Sequence, residues 1–511
     1  MSCCHCYMNR RKFIGVTALG SAAVTLSGLS RLTGADGIDD WQPDKPFLKL
    51  GRKLRVQPVL MYTVSYPKKQ RSYKSWGGIQ SDETADQEAQ RITDELQQCV
   101  KDSDFPVEVL PIVKVKTETE AEQVHRQDFD VVIVYPARGG GSLLRKCFSK
   151  NKHNLVFVRQ RSGPVYYWYE ALSVRYLQTE DESDSIAKDN GKYVHVQDVI
   201  VDDMVELQWK LSSLFAVKNF IGTKIVALGG PWGKYASDAP QIARDRFGMD
   251  IIDVSYEDLA KRIKSARSDD RLVRKSKEWS RRYLAIPATA LKTEQAFVDN
   301  CFLLYAIFKD LMIEHGTQAF TIKDCMATVM PMSETTACLT LGLLNDEGYM
   351  AFCESDFVII PPGVLLRYIS GKPVFLHNST FPHRGEVTCA HCIGPRRMDG
   401  EHYEPTIIMT HYESEYGAAP KVEMPIGQEL TFLDPEYSTG RWLGFKGKVK
   451  RNPNYEICRS QQDVEILGNW QKLLNEVRDS HWVMVYGDYL KEGGYATRKL
   501  GLQWENISEI S

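Results

Sequence analysis

Beyond residue 50, short apolar runs alternate with longer stretches of helical spacing. "KLRVQPVLMYTV" (53–64) reads as a strand, and "SDETADQEAQRITDELQQCV" opens on an N-cap serine and keeps a helical period. "VEVLPIVKV", "FDVVIVYPA" and "NLVFVRQ" are further short β-rich runs. Strands alternating with helices predict a parallel sheet covered by helices, here a first α/β domain over 51–178. The acidic, polar stretch "QTEDESDSIAKDNGK" (178–192) marks a boundary or exposed loop. A second α/β domain follows over 179–372. It holds the helix "DVIVDDMVELQWKLSSLFAVKNF", the strand and turn "TKIVALGGPWGKYA", and a long buried helix near 293–315. After Pro373 the texture changes to short strands and turns: "KPVFLHN", "EVTCAHC", "TIIMTHY", "QELTFLD", "RWLGFKGKV". That predicts a β-rich C-terminal domain over 373–511, a barrel or sandwich, closing with the helix "GNWQKLLNEVRD" and the run "SHWVMVYGDY".

Two glycine clusters raise the question of phosphate binding. Gly229–Gly230 stand at a strand end, but neither G-x-G-x-x-G spacing nor a following Lys–Ser/Thr pair is present. A tight turn between strand and helix is the better reading, there and for Gly139–Gly141.

Composition narrows the function classes. The chain has 511 residues, 43% hydrophobic and 25% charged, with a formal net charge of −2. Such a chain has no bulk attraction for nucleic acid or an anionic membrane, so a small molecule is the expected partner. The N-terminus differs from the rest. Adjacent Arg10 and Arg11, then Phe13 and a weakly apolar run, have the layout of a twin-arginine export signal over 1–34. Residues 35–50 read as a polar linker with Pro43 and Pro46. The run from Phe13 to Leu29 is too short and too polar for a membrane span. The expected location is periplasmic or exported, with the cytoplasm as the alternative. Nine cysteines lie beyond the signal, at irregular spacing. An odd number in that arrangement is not a disulfide framework, and buried thiols are expected. Export in the folded state reconciles free thiols with a signal, and allows a metal to be loaded first.

Candidate chemistry begins at "AFCESD" (351–356), where Glu354 and Asp356 follow a short apolar run. In an extended segment both would point to one side. The alternative for Asp356 is capping a helix that starts near Phe357. His391 lies in "VTCAHC", where alternation puts Val387, Cys389 and His391 on one strand face. Cys389, His391 and Cys392 alone do not make a structural zinc site. His481 opens the run "HWVMVYGD", where a lone His is more often a hydrogen-bonded core residue than a ligand. His377, His383, His402 and His411 crowd the same region.

Taken in order, "KDCMATVMPMSETTACLTLGLLNDEGYMAFCESD", "GKPVFLHNSTF", "VTCAHC" and "SHWVMVYGDY" resemble the C-terminal region of the L-fucose isomerase and L-arabinose isomerase superfamily, over roughly 320–500. The resemblance implies two Rossmann-like α/β domains before a barrel-like one. It also implies interconversion of aldoses and ketoses with Mn²⁺ or another divalent cation, which acts as a Lewis acid and stabilises an enediolate. Glu354 would be a ligand and acid/base, and Asp356, His391 and His481 the other ligand candidates. The isomerases of that superfamily are hexamers, so the resemblance implies a homo-oligomer. One departure stands out. The family carries a further Glu soon after the Cys-bearing strand, and "CMATVMP" has none there. Glu334 either takes that catalytic place or sits in the first turn of a helix. Three functions follow: a metal-dependent carbohydrate isomerase, a sugar-binding protein without proton transfer, or a metal-dependent lyase, epimerase or hydrolase.

Overall fold

In the computed structural model, the described residues are 40–509, apart from 75, 150, 167–193, 437–439 and 477–478. The segment read as an export signal and the whole acidic stretch 178–192 lie outside them. No helix among them is long and apolar enough to cross a membrane.

The first apolar runs form a six-stranded parallel sheet. Its central strand, Leu54–Met61, pairs with Val131–Pro136 on one edge. On the other it pairs with Val107–Val109 and then Val113–Val115. His153–Val158 and Val199–Val201 continue the sheet. Strands buried on both faces need helical cover, which explains their near-continuous apolar sequence. The helix Asp82–Lys101 supplies part of it and begins with a capping box between Ser81 and Thr84.

A second parallel sheet has the order Met350–Cys353, Ala319–Ile322, Lys224–Leu228, Asp250–Val254. The helix Gln295–Glu314, apolar nearly all round, is buried beside it. Gly229 and Gly230 both take positive φ, at 80° and 84°, as the chain leaves Lys224–Leu228. A Cβ on Gly229 would lie 2.1 Å from the Tyr256 hydroxyl oxygen, so the turn closes only without a side chain.

The C-terminal strands close into a six-stranded antiparallel barrel. Glu429–Glu436, His481–Tyr486, Phe375–Ser379, Glu386–His391, Ser460–Leu467 and Arg441–Arg451 follow one another round it, and the last pairs back to the first. Closure leaves no free edge. Its packing includes Phe432 and Phe445, stacked 4.5 Å apart, and Trp482 edge-on to Phe445. The molecule is thus mixed α/β with parallel sheets and a barrel in the C-terminal region. A smaller three-stranded sheet joins Thr289–Lys292 to the hairpin Thr406–Met409 and Ala419–Val422.

From Asp40 onward the polar stretch before the first strand is seated on the fold. Trp41 is buried edge-on against Tyr283 and Phe302, and Asp40 accepts hydrogen bonds from Trp279 and Arg282.

Candidate functional site

Three loops leave the carboxyl ends of neighbouring strands in the second sheet and meet the barrel. Trp232–Lys234 follow Lys224–Leu228, Asp324 and Cys325 follow Ala319–Ile322, and Glu354–Asp356 follow Met350–Cys353. Ligand sites in parallel α/β sheets collect at this edge because the loops there converge. A cavity of about 740 Å³ opens between them and the barrel. Trp232, Asp324, Glu354, Asn378, Thr388 and His391 are among its lining residues.

The segment 354–356 is not extended, contrary to the expectation from alternation. Glu354 and Ser355 have φ of 64° and 53°, a left-handed turn. Each such residue costs about 1–2 kcal/mol, so the surroundings must hold it. Trp232 does so. Its indole N–H donates to the Glu354 carbonyl, its backbone N–H donates to the Ser355 carbonyl (3.2 Å), and its own carbonyl accepts from Phe357 (2.9 Å).

Asp356 is fully buried and takes the capping role considered for it. Its Oδ1 accepts the backbone N–H groups of Val358 (3.1 Å) and Lys234 (3.0 Å), which caps the turn leading to the helix Ile360–Ser370. Its Oδ2 lies 2.7 Å from His481 Nδ1. That contact fixes the imidazole proton on Nδ1 and turns Nε2 toward Glu354, whose Oε2 is 3.3 Å away. A carboxylate that orients a histidine in this way leaves the far nitrogen available to a cation. Asp356 therefore positions His481 in this geometry, with both of its oxygens engaged.

His391, the last residue of its barrel strand, faces the other carboxylate oxygen, with Nε2 3.6 Å from Glu354 Oε1. Glu354, His391 and His481 bring ligand atoms within 4.8 Å of one another, as do Asp356, Asp479 and His481. His391 Nε2 is buried without a hydrogen-bond partner among the described residues. A carboxylate with two imidazoles suits a first-row divalent ion. Glu354 and His481 fit directly. His391 Nδ1 accepts the Cys392 N–H (2.9 Å), so His391 would offer Nε2 only by giving up that bond and carrying its proton on Nδ1.

Burial would raise the Glu354 carboxyl, but His391 and His481 outweigh it and hold the group far below the usual carboxylate range. Burial would lower His481, but Asp356 and Glu354 outweigh it and raise the imidazole to about 9. Lys234 opposes that rise. Its Nζ sits 3.3 Å from His481 Nε2 and 3.9 Å from Glu354 Oε2. Lys234 is a resident cation that a metal ion held by Glu354 and His481 would have to displace.

The remaining candidates lie elsewhere. Glu334 is neither in the first turn of a helix nor among the cavity residues. It ends the short helix Met330–Ser333 with φ of 54°, and its exposed carboxylate pairs with Arg267 at 2.7 Å. His377 is fully buried against Phe375, Phe432 and Trp482, and burial lowers its imidazole to about 3. His402 is exposed and paired with Asp399, while His411 reaches the cavity. Sequence reading missed Trp232, Lys234, Asp324 and Asp479. The signal for the first three was their place just after strands of one parallel sheet.

No protein-family model matches the chain, and no curated protein does. Among solved structures, a conserved domain protein from Vibrio cholerae O1 biovar El Tor is similar at 8% identity, over 55% of this chain and 77% of that one, with a TM-score of 0.16. Nothing about fold or function is carried over from so low a score.

Proposed function

We propose that the chain is a metal-dependent carbohydrate isomerase that interconverts an aldose and a ketose, with Mn²⁺ or a similar divalent ion at Glu354, His481 and His391. The observation that carries the reading is the Glu354 carboxylate, which lines a cavity large enough for a sugar and faces His481 Nε2, an imidazole held by buried Asp356. The two Rossmann-like domains and a homo-oligomer belong to the same reading, by resemblance to the L-fucose isomerase superfamily, while export through the twin-arginine route rests on Arg10 and Arg11 and departs from that resemblance.

When bound, the ion would supply Lewis-acid polarisation of the sugar's carbonyl and hydroxyl oxygens. Glu354 is held ionised, the state required of a base that accepts a proton from C2, although the same contacts with His391 and His481 weaken its basicity. His481 keeps its orientation through Asp356. The hydroxyl proton that must move between O2 and O1 as the carbon proton passes from C2 to C1 needs a second carrier. Asp324 lines the cavity and takes that role in place of Glu334, which Arg267 holds outside it. The same displacement of Glu334 favours a second reading, sugar binding without proton transfer.

Solvent exchange separates the two. In deuterium oxide with Mn²⁺, an accepted aldose should take up deuterium at C2. Glu354→Gln should abolish the uptake, and Cys389→Ser, whose thiol is buried outside the cavity lining, should leave it largely intact. A sugar that binds the wild type without exchange supports the non-enzymatic reading and overturns the isomerase.

A further inference from the structure

A second cavity, of about 540 Å³, shares no lining residue with the first. Arg367 and Arg397 line it, and both are buried, at 2% and 6% exposure. Arg367 stands in the otherwise largely apolar helix Ile360–Ser370, and Arg397 in the loop after the barrel strand Glu386–His391. Their guanidinium carbons sit 4.8 and 5.9 Å from the centre of one ring, Phe47. Main-chain carbonyls occupy part of each group. Arg367 Nη2 donates to Leu48 (2.9 Å) and Gly348 (2.8 Å). Arg397 donates through Nη1 to Lys45 (3.1 Å) and Asp346 (3.3 Å), and through Nη2 to Gly400 (3.0 Å). The Nε of each has no hydrogen-bond partner among the described residues, and neither guanidinium forms an ion pair with a carboxylate there. Buried Asp346 spends its Oδ1 on the backbone N–H groups of Arg396 (2.6 Å) and Arg397 (2.8 Å).

Carbonyl dipoles hold these side chains in place but supply no neutralising charge, and a buried charge without a counter-ion is strongly destabilising. Lys372, just past the helix, adds a half-buried ammonium to the same cavity, where its Nζ donates to the Tyr486 carbonyl (3.2 Å). The acids of the cavity do not answer these charges. Asp399 is engaged by His402 and by two backbone N–H groups, while Asp104 and Glu401 are exposed. We propose that Arg367, Arg397 and Lys372 form a binding site for phosphate, free or as the terminal group of a small organic molecule. Three cationic groups exceed the single charge of a carboxylate, whereas a phosphate monoester carries a charge of about −1.5 to −2 at neutral pH and offers three acceptor oxygens. Guanidinium groups match those oxygens in geometry. Phe47, Phe105 and Phe215 make part of the remaining wall apolar and give an organic group a place beside the phosphate. Burial holds the Arg367 guanidinium below its ordinary value, and an anion seated there would raise it again. The inference is independent of the isomerase reading, since it uses neither Glu354 nor His481.

The test is calorimetric titration of metal-free, full-length protein with inorganic phosphate, phenyl phosphate and benzoate, in a buffer free of other oxyanions. The wild type should bind one phosphate or phenyl phosphate and melt at a higher temperature with it, and should bind benzoate more weakly. Tighter binding of phenyl phosphate assigns the site to an ester, and equal or tighter binding of inorganic phosphate assigns it to the free ion; both support the proposal. The Glu354→Gln/His481→Ala double variant should bind as the wild type does. Arg367→Met and Arg397→Met should each lose binding. Should neither fold by circular dichroism, Lys372→Met replaces them and should bind about tenfold more weakly or worse, the loss of one charged hydrogen bond. A wild type that shows neither heat nor a thermal shift with either phosphate overturns the proposal. So does wild-type affinity in a folded Arg367→Met, Arg397→Met or Lys372→Met protein, benzoate binding as tight as phenyl phosphate, or loss of binding in Glu354→Gln/His481→Ala.

Discussion

Asp356→Ala is expected to lower the unfolding free energy by about 3–5 kcal/mol, the range for removing one partner of a buried ion pair. The carboxylate is fully buried, and every atom it meets is buried or half-buried. Its loss strands the Lys234 and Val358 N–H groups and removes the acceptor that holds His481 Nδ1. Asp356→Asn separates the two effects. The amide oxygen can still accept the two N–H groups, so most of the stability should return. With its oxygen so engaged, the amide turns its NH₂ to His481 Nδ1, which places the ring proton on Nε2, the nitrogen a metal needs, so divalent-ion affinity should stay low. Urea unfolding read alongside calorimetric Mn²⁺ titration checks both. Equal stability of Asp356→Ala and the wild type would mean that the turn at 354–356 is held by Trp232 alone.

The metal-free protein is expected to lose stability as pH rises from about 6.5 through about 9. His481 binds its proton more tightly folded than unfolded, where its ordinary value is 6.5. The folded state therefore holds more protons across that window, and stability falls as they leave. The contribution is fully present below pH 6.5 and lost above about 9, on the order of 3 kcal/mol for this buried ring. Metal affinity should move the other way, because binding at Nε2 expels that proton. Thermal melts of the wild type and His481→Gln between pH 6 and 10 test the sign. The difference between them should narrow with rising pH, and a constant difference would show that His481 does not titrate there.

Strands, helices and the change to a β-rich texture after Pro373 were legible because burial on one or two faces writes a period into the sequence. The conjunction of Glu354, His391 and His481 was legible only through resemblance in order and spacing, since no local pattern joins residues 127 positions apart. What escaped has a physical cause in each case. The turn at Glu354–Ser355 takes left-handed φ at two non-glycine residues, which local propensity disfavours and only the Trp232 clamp sustains. Lys234 lay in a glycine-rich turn weighed for phosphate, because its role depends on a sheet neighbour far along the chain. Glu334 was weighed as a catalytic acid on sequence proximity alone, whereas Arg267 on a separate helix decides where it points.

The central claim is that Glu354 and His481 bind one divalent cation, in competition with Lys234. Calorimetric titration of Mn²⁺ into the wild type, Lys234→Met and the Glu354→Gln/His481→Ala double variant tests it most directly. The account predicts one site in the wild type, tighter binding in Lys234→Met because the resident ammonium is gone, and no site in the double variant. Full occupancy in the double variant, or a wild type that takes no metal in excess Mn²⁺, would contradict it.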